Sequence, residues 1–276
     1  MLHARLNLCA SSLLTVALAA GALFALPAAA ETACDPSDGY GQGLVSYVGE
    51  IEACLAASDA FDAETEASII QRTNEKRTVA GLNPLNRRDS LDAAARAHAL
   101  DMAARNYAGH NDLEGRGHIH RMRALDRQAL AGATGANVVV LDAGVDVEGI
   151  HETIRSDAAN AANLTRDSFT DTGVGIAEAN GLLYVVQMLV TVDGELERPM
   201  PLQIAGATSF TPAMSQDYFR TAGWTLSDES GSRLAGGQLM RLQHSAFKAD
   251  ETGYLDVLAE LDTDTYVLKG PLVTRR

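Results

Sequence analysis

Residues 173–192 read GVGIAEANGLLYVVQMLVTV, and this stretch decides the fold. Gly173 to Ala177 and Leu182 to Val192 have the apolar, β-branched character of strands. Ala179-Asn180-Gly181 between them supplies a tight turn, so the two arms form a hairpin. Side chains alternate across a strand. In the second arm Leu183, Val185, Gln187, Leu189 and Thr191 therefore share one face, and Leu182, Tyr184, Val186, Met188, Val190 and Val192 share the other. The second face is apolar throughout and needs a cover, which predicts helices packed against a sheet.

Upstream of the hairpin the period changes to that of helices. From Ser90 to Tyr107, Leu91, Ala94, Ala95, His98 and Met102 make a mostly apolar band, with Asp89 or Ser90 as the cap and Asn106 and Gly109 as the end. Over 63–79, Ile69, Ile70 and Thr73 face inward while Gln71, Arg72, Glu75 and Lys76 stay in water; Val79-Ala80-Gly81 ends the helix. Shorter helices are predicted over 44–57, over 118–129 from Ile119, Met122 and Leu125, and over 146–157 from Ile150 and Ile154. Beyond residue 198, Pro199, Pro201, Gly206, Pro212 and Gly223 punctuate short segments, and 231–237 reads as flexible. Strands are expected at Leu239 to Leu242, Tyr254 to Leu261 and Tyr266 to Leu268, so residues 198–276 form a β-rich extension or a small domain.

The first thirty residues read as an address rather than as structure. Arg5, the apolar run 11–26, Pro27 and Ala28-Ala29-Ala30 form a signal peptide cut before Glu31; a membrane anchor is the alternative. Cleavage removes Cys9 and leaves Cys34 and Cys54 as an even pair in an oxidising compartment. A structural disulfide is expected there, tying an N-terminal extension over residues 31–62; two free thiols or a redox pair are the alternatives, although the spacing fits no CxxC site. Asp plus Glu number 36 against 22 Lys plus Arg, a net charge of -14, and no long basic run is present. That composition excludes a nucleic-acid partner, and no stable transmembrane segment is expected after signal cleavage.

The order of motifs is informative. Ile70 to Arg77 resembles an LNxxR helix, Leu91 to Ala103 matches a second helix, and Tyr107-Ala108-Gly109-His110 supplies an aromatic, a small residue and a histidine. Glu114-Gly115-Arg116 with Arg121-Met122, then Gly135-Ala136-Asn137-Val138, then Ser156 to Leu164, Phe169 to Ile176 and Tyr184 to Gln187 follow in order. Across residues 66–192 the chain resembles the bacterial branch of the CAP superfamily, also called the SCP or cysteine-rich secretory protein, antigen 5 and pathogenesis-related 1 domain. That resemblance implies an α+β fold, an αβα sandwich of CAP type over residues 63–197.

It also implies a place for chemistry, because members often gather two histidines and two acidic residues in a central cleft that in some cases holds a divalent metal. His110 stands at the first histidine position, Ala136 at that of the GEN acid and Asn160 at that of the second histidine; Glu148 or Glu152 are the nearby options for the second acid. Asn160 is a poor substitute for a neutral imidazole, so the inherited metal site is expected to be absent or degenerate. A local alternative for zinc is His110, His118 and His120 with Asp112 and Glu114 between them. On a helix, however, His118 and His120 point about 200° apart.

No GxSxG elbow, dinucleotide-binding glycine loop, HExxH pair or EF-hand loop is present. The expected product is thus an exported CAP-like module, periplasmic or extracellular, without a cofactor and without enzymatic activity. Its expected partner is a small ligand, an envelope component or a protein. The alternatives are a metal-assisted hydrolase acting on peptide or envelope material, with His110 and an acid activating water, and a structural scaffold.

Overall fold

The computed structural model describes residues 34–58 and 61–276, and the expected signal segment lies outside these residues. Helix α1 spans Leu44–Ala57 and α2 spans Ala63–Val79. Asp62 caps α2 by accepting from the Thr65 backbone N–H, and Gly81, at φ 74°, turns the chain out of it. A two-residue strand, β1 (Asn86–Arg87), leads into α3 (Asp89–Arg105), which stops where Asn106 adopts φ 54°. Then come α4 (His118–Leu125), β2 (Ala129–Asp142), α5 (Val147–Ser156), α6 (Ala158–Leu164), β3 (Asp171–Ala179) and β4 (Leu182–Leu196). Asn180 and Gly181 both have positive φ, the geometry of the two-residue turn that Asn-Gly favours.

Beyond the hairpin lie β5 (Gln203–Ile204), β6 (Ala207–Ser209), β7 (Pro212–Met214), β8 (Arg220–Ser227), β9 (Arg233–Gly237), β10 (Arg241–Gln243), β11 (Thr252–Leu261) and β12 (Asp264–Arg275). One sheet runs β1-β3-β4-β2-β12-β11-β8-β9, with β5 on β12 and β7 on β4; β6 and β10 form a separate ladder. The C-terminal strands join the hairpin's sheet where Lys269 of β12 pairs with Ala131 of β2.

Helices cover both faces of the three central strands. Leu91, Ala95 and Met102 of α3 and Met122 of α4 pack on Tyr184, Val186, Met188 and Val190. On the reverse face Ile69 and Ile70 of α2, Ile150 and Ile154 of α5 and Leu164 of α6 pack on Val174, Ile176 and Val185. The result is the α+β sandwich. Two glycines set how closely its layers approach. A Cβ on Gly173 would lie 2.3 Å from the Asp92 backbone nitrogen, and one on Gly175 would lie 2.1 Å from that of Arg96. The backbone of α3 rests directly on β3 because neither strand residue has a side chain there.

Three sequence expectations need correction. The helix expected over 118–129 stops at Leu125, because the Asp126 carboxylate accepts from the backbone N–H groups of Gln128 and Ala129 and turns the chain into β2. The segment at 231–237 is not free, since Arg233–Gly237 pairs with β8. The helix expected to end at 157 is followed at once by a second one, because Asp157 accepts from Ala159 and Asn160 N–H and starts α6. The disulfide forms between Cys34 and Cys54, whose Cα atoms are 4.6 Å apart.

Candidate functional site

Between α3 and α4 the chain crosses Tyr107–Gly117 without regular structure, and three arginines fix its path. Arg121, reaching up from α4 and almost fully buried, donates to the carbonyls of His110 (2.6 Å) and Arg116 (2.7 Å). Arg105 forks between Asp101 (2.7 and 2.8 Å) and Glu114 (2.6 and 2.9 Å). Arg116 binds Asp112 at 2.7 Å and reaches the carbonyls of Tyr40 (3.0 Å) and Gly41 (2.8 Å) in the N-terminal segment. From below, His98 donates through Nε2 to the Gly109 carbonyl at 2.7 Å. Burial, with the Arg121 guanidinium nearby, pushes its pKa down to about 3, so this imidazole is neutral and its Nε2 keeps the proton.

On this braced loop His110 and Leu113 are exposed, Leu113 at 61%, and Ile119 in the first turn of α4 is 41% exposed. The other expected site residues lie elsewhere in the sandwich. Ala136 sits in β2 opposite Met188, its methyl buried against the α3 layer, and its carbonyl accepts from Asn163 at 3.3 Å. Asn160 is buried in the first turn of α6, its backbone held by Asp157. Glu148 and Glu152 belong to α5, in the opposite helix layer: Glu148 is 3.5 Å from Arg72 of α2, and Glu152 is 2.9 Å from Arg155. Among the described residues no hydrogen bond or ion pair joins the His110 side chain to Asn160, Glu148 or Glu152.

His118 and His120 diverge, as a helix requires. The His120 ring turns to Tyr47, 5.3 Å away between centroids, with Nδ1 3.4 Å from the Tyr254 hydroxyl. Burial is the main cause that pushes both imidazoles down to about 4; the charge of Arg121 adds to it at His118 and that of Arg116 at His120. Among the described residues no three His, Cys, Asp or Glu side chains converge to hold a metal ion. A methyl at 136 and an amide at 160 do not supply the carboxylate and imidazole that zinc takes. At those two positions the residues present do not fit a divalent metal.

A polar chain runs over the reverse face of the sheet next to these positions. Asn163 of α6 donates to Asn137 (2.9 Å), Asn137 to Gln187 (3.1 Å), and Gln187 to Thr73 of α2 (3.0 Å). Every link is paired, so it fastens α2 and α6 to the sheet. The sequence reading has Arg116 and Arg121 only as motif positions and does not single out Arg105, so it assigns none of them a bracing role. The signal for two of them is local: Asp101 and Asp112 stand four residues before Arg105 and Arg116.

Residues 70–189 match the Cysteine-rich secretory protein family, CAP, and the chain carries a CAP domain over those residues. No curated protein matches it in sequence. Among solved structures it is similar to an outer surface protein of Borrelia burgdorferi, with 15% identity over 47% of this chain and 94% of that one and a TM-score of 0.41. It is also similar to an extracellular SCP-domain protein of Bacillus anthracis (18% identity, 51% of this chain and 42% of that one, TM-score 0.41). A third similar structure is the venom allergen-like protein 4 of Schistosoma mansoni (14%, 51% and 96%, TM-score 0.38).

Proposed function

We propose that this CAP-domain protein is an exported, non-enzymatic binding module that uses the His110 loop to engage an envelope component, a small ligand or a protein. The observation that carries this reading is the bracing of the loop by Arg105, Arg116 and Arg121, which holds the backbone that presents His110 and Leu113 to solvent. A surface ordered before its partner arrives loses less conformational freedom on binding. Export is supported by the Cys34–Cys54 disulfide, a bond that persists in oxidising compartments. Among the described residues no helix is long and apolar enough to cross a membrane.

Two measurements on purified protein test the reading. Sedimentation with isolated envelopes should carry the protein down, and Leu113→Asp should reduce the bound fraction while leaving the fold intact, because Leu113 is exposed. Metal analysis should find no stoichiometric zinc in the wild type or in His110→Ala. Near-unit zinc that disappears in the variant would replace the binding module with a metal-assisted hydrolase.

A further inference from the structure

Beyond the matched CAP residues the chain leaves β4 at Leu196 and reaches β5 through residues 197–202. This connection is pinned. Arg127 donates to the carbonyls of Met200 (3.0 Å) and Pro201 (3.2 Å), and its own carbonyl accepts from the Met200 N–H at 2.8 Å. Facing it are β6 and residues 210–211, held by the β6–β10 ladder and by the Phe210 N–H, which donates to the Met240 carbonyl at 3.0 Å. The Glu197 N–H donates to the Thr211 carbonyl at 2.9 Å and links the two walls. Between them lies a pocket of about 260 Å³. That is below the drug-sized range of about 300–1,000 Å³, on the scale of a single amino acid.

The lining has an apolar part and a charged part. Met200 and Phe210 are buried members of the C-terminal core, and Pro199 and Pro201 add aliphatic ring surface. Glu197 and Arg198, both exposed, line the same pocket. Among the described residues neither of these two side chains has a hydrogen-bond or ion-pair partner, and the Thr208 and Thr211 hydroxyls on the facing wall have none either. Elsewhere Arg87, Arg88, Arg96, Arg105 and Arg116 are each engaged by a carboxylate. Arg198 keeps its guanidinium fork open for a carboxylate brought by a ligand.

A ligand with one charge of each sign and an apolar body matches this lining. We infer that the pocket binds a free α-amino acid with an apolar side chain. Arg198 takes the carboxylate, Glu197 the ammonium, and the side chain lies against Met200 and Phe210. A simple carboxylate would leave Glu197 unanswered and a simple amine would leave Arg198 so; the zwitterion answers both. Main-chain bonds fix the walls before the ligand arrives, which lowers the ordering cost of binding. The site lies outside the CAP match and does not depend on what the His110 loop binds.

The chain's one tryptophan supplies the readout, since the Trp224 ring lies 5.8 Å from that of Phe210. Fluorescence titration of the purified protein with L-methionine is expected to saturate, and isothermal titration should give one site per chain. N-acetyl-L-methionine, which lacks the ammonium, and L-methioninamide, which lacks the carboxylate, should each bind about tenfold more weakly. Arg198→Gln and Glu197→Gln should each weaken methionine by a similar factor, and Arg198→Gln should not weaken methioninamide further. Both side chains are exposed, so circular dichroism of the variants should match the wild type, and Glu152→Gln in α5 should bind methionine as the wild type does. Absence of saturable binding, equal affinity in the wild type and Arg198→Gln, or either derivative binding as tightly as methionine would each overturn the inference.

Discussion

Arg77 is a buried guanidinium whose hydrogen bonds all go to backbone carbonyls. It donates to Asn83 (2.8 Å), Leu164 (3.2 Å), Arg166 (2.8 Å) and Phe169 (3.1 Å), which ties the end of α2 to the loop before β3. The sequence marks Arg77 as part of a motif, yet it cannot say that the residue is a clasp, because three of its four partners lie 87 to 92 positions away along the chain. Arg77→Met keeps the volume but leaves those carbonyls unpaired, and urea denaturation should show a loss of about 3 kcal/mol or more. His98 gives a pH signature. Its folded pKa of about 3 lies below the unfolded value near 6.5, so on acidification the unfolded chain binds the proton first. The neutral imidazole's contribution is complete above pH 6.5 and is lost as pH falls from there toward 3. The slope is about 1.4 kcal/mol per pH unit within that window. His98→Gln retains an N–H near the Gly109 carbonyl without titrating, and its stability between pH 6.5 and 4.5 should fall less steeply by about that amount. An unchanged slope would remove His98 as the source.

At the scale of elements, legibility followed the strength of the local pattern. The helices at 44–57 and 63–79 appear with their expected bounds because apolar spacing and breakers agree there. Strand β2 was not legible in its first half: Ala129, Ala131, Gly132, Ala133, Gly135 and Ala136 favour no strand, and its register is imposed by pairing with β4. Small residues suit that position because their neighbours need the room, as at Gly132 beneath Asp193 and at Gly135, where a Cβ would lie 2.9 Å from the Phe169 ring. The candidate cleft was legible only as positions in a motif order. Which helix layer carries Glu148 and which carries His110 depends on long-range packing. The glycines of β3 offer a direct test of the layer spacing. In Gly175→Ala the new methyl meets the backbone of α3, which has no side-chain rotamer to yield. The loss should reach or exceed the roughly 1–3 kcal/mol typical of overpacking. Gly181→Ala, which meets no atom within 4 Å and only carries the strain of φ 74°, should cost less. Thermal melts of both variants decide the order.

Across the whole molecule, the two ends of the described chain meet on the CAP sandwich. Tyr47 and Ile51 of α1 share a core with Ala97 of α3 and Leu272 of β12. Arg123 of α4 donates to the carbonyls of Leu255 and Gly270 and lies 2.9 Å from Asp256, so the C-terminal strands are also fastened to the helix layer. These contacts bear on whether residues 198–276 unfold as a separate domain. The chain has one tryptophan, Trp224, seated against Phe210 in the C-terminal core. Helices α1 to α6 all precede residue 198, so far-UV circular dichroism at 222 nm and tryptophan fluorescence report opposite sides of that boundary. If the shared core couples them, the two signals trace one urea transition. Replacing both Cys34 and Cys54 by serine removes a loop closure worth about 3 kcal/mol. Because the disulfide anchors α1 and α1 touches both α3 and β12, that loss should move the fluorescence midpoint as far as the dichroism midpoint. A fluorescence transition that stays in place while the helical signal shifts would mean that the C-terminal strands hold their own stability and that the boundary at 198 separates two folding units.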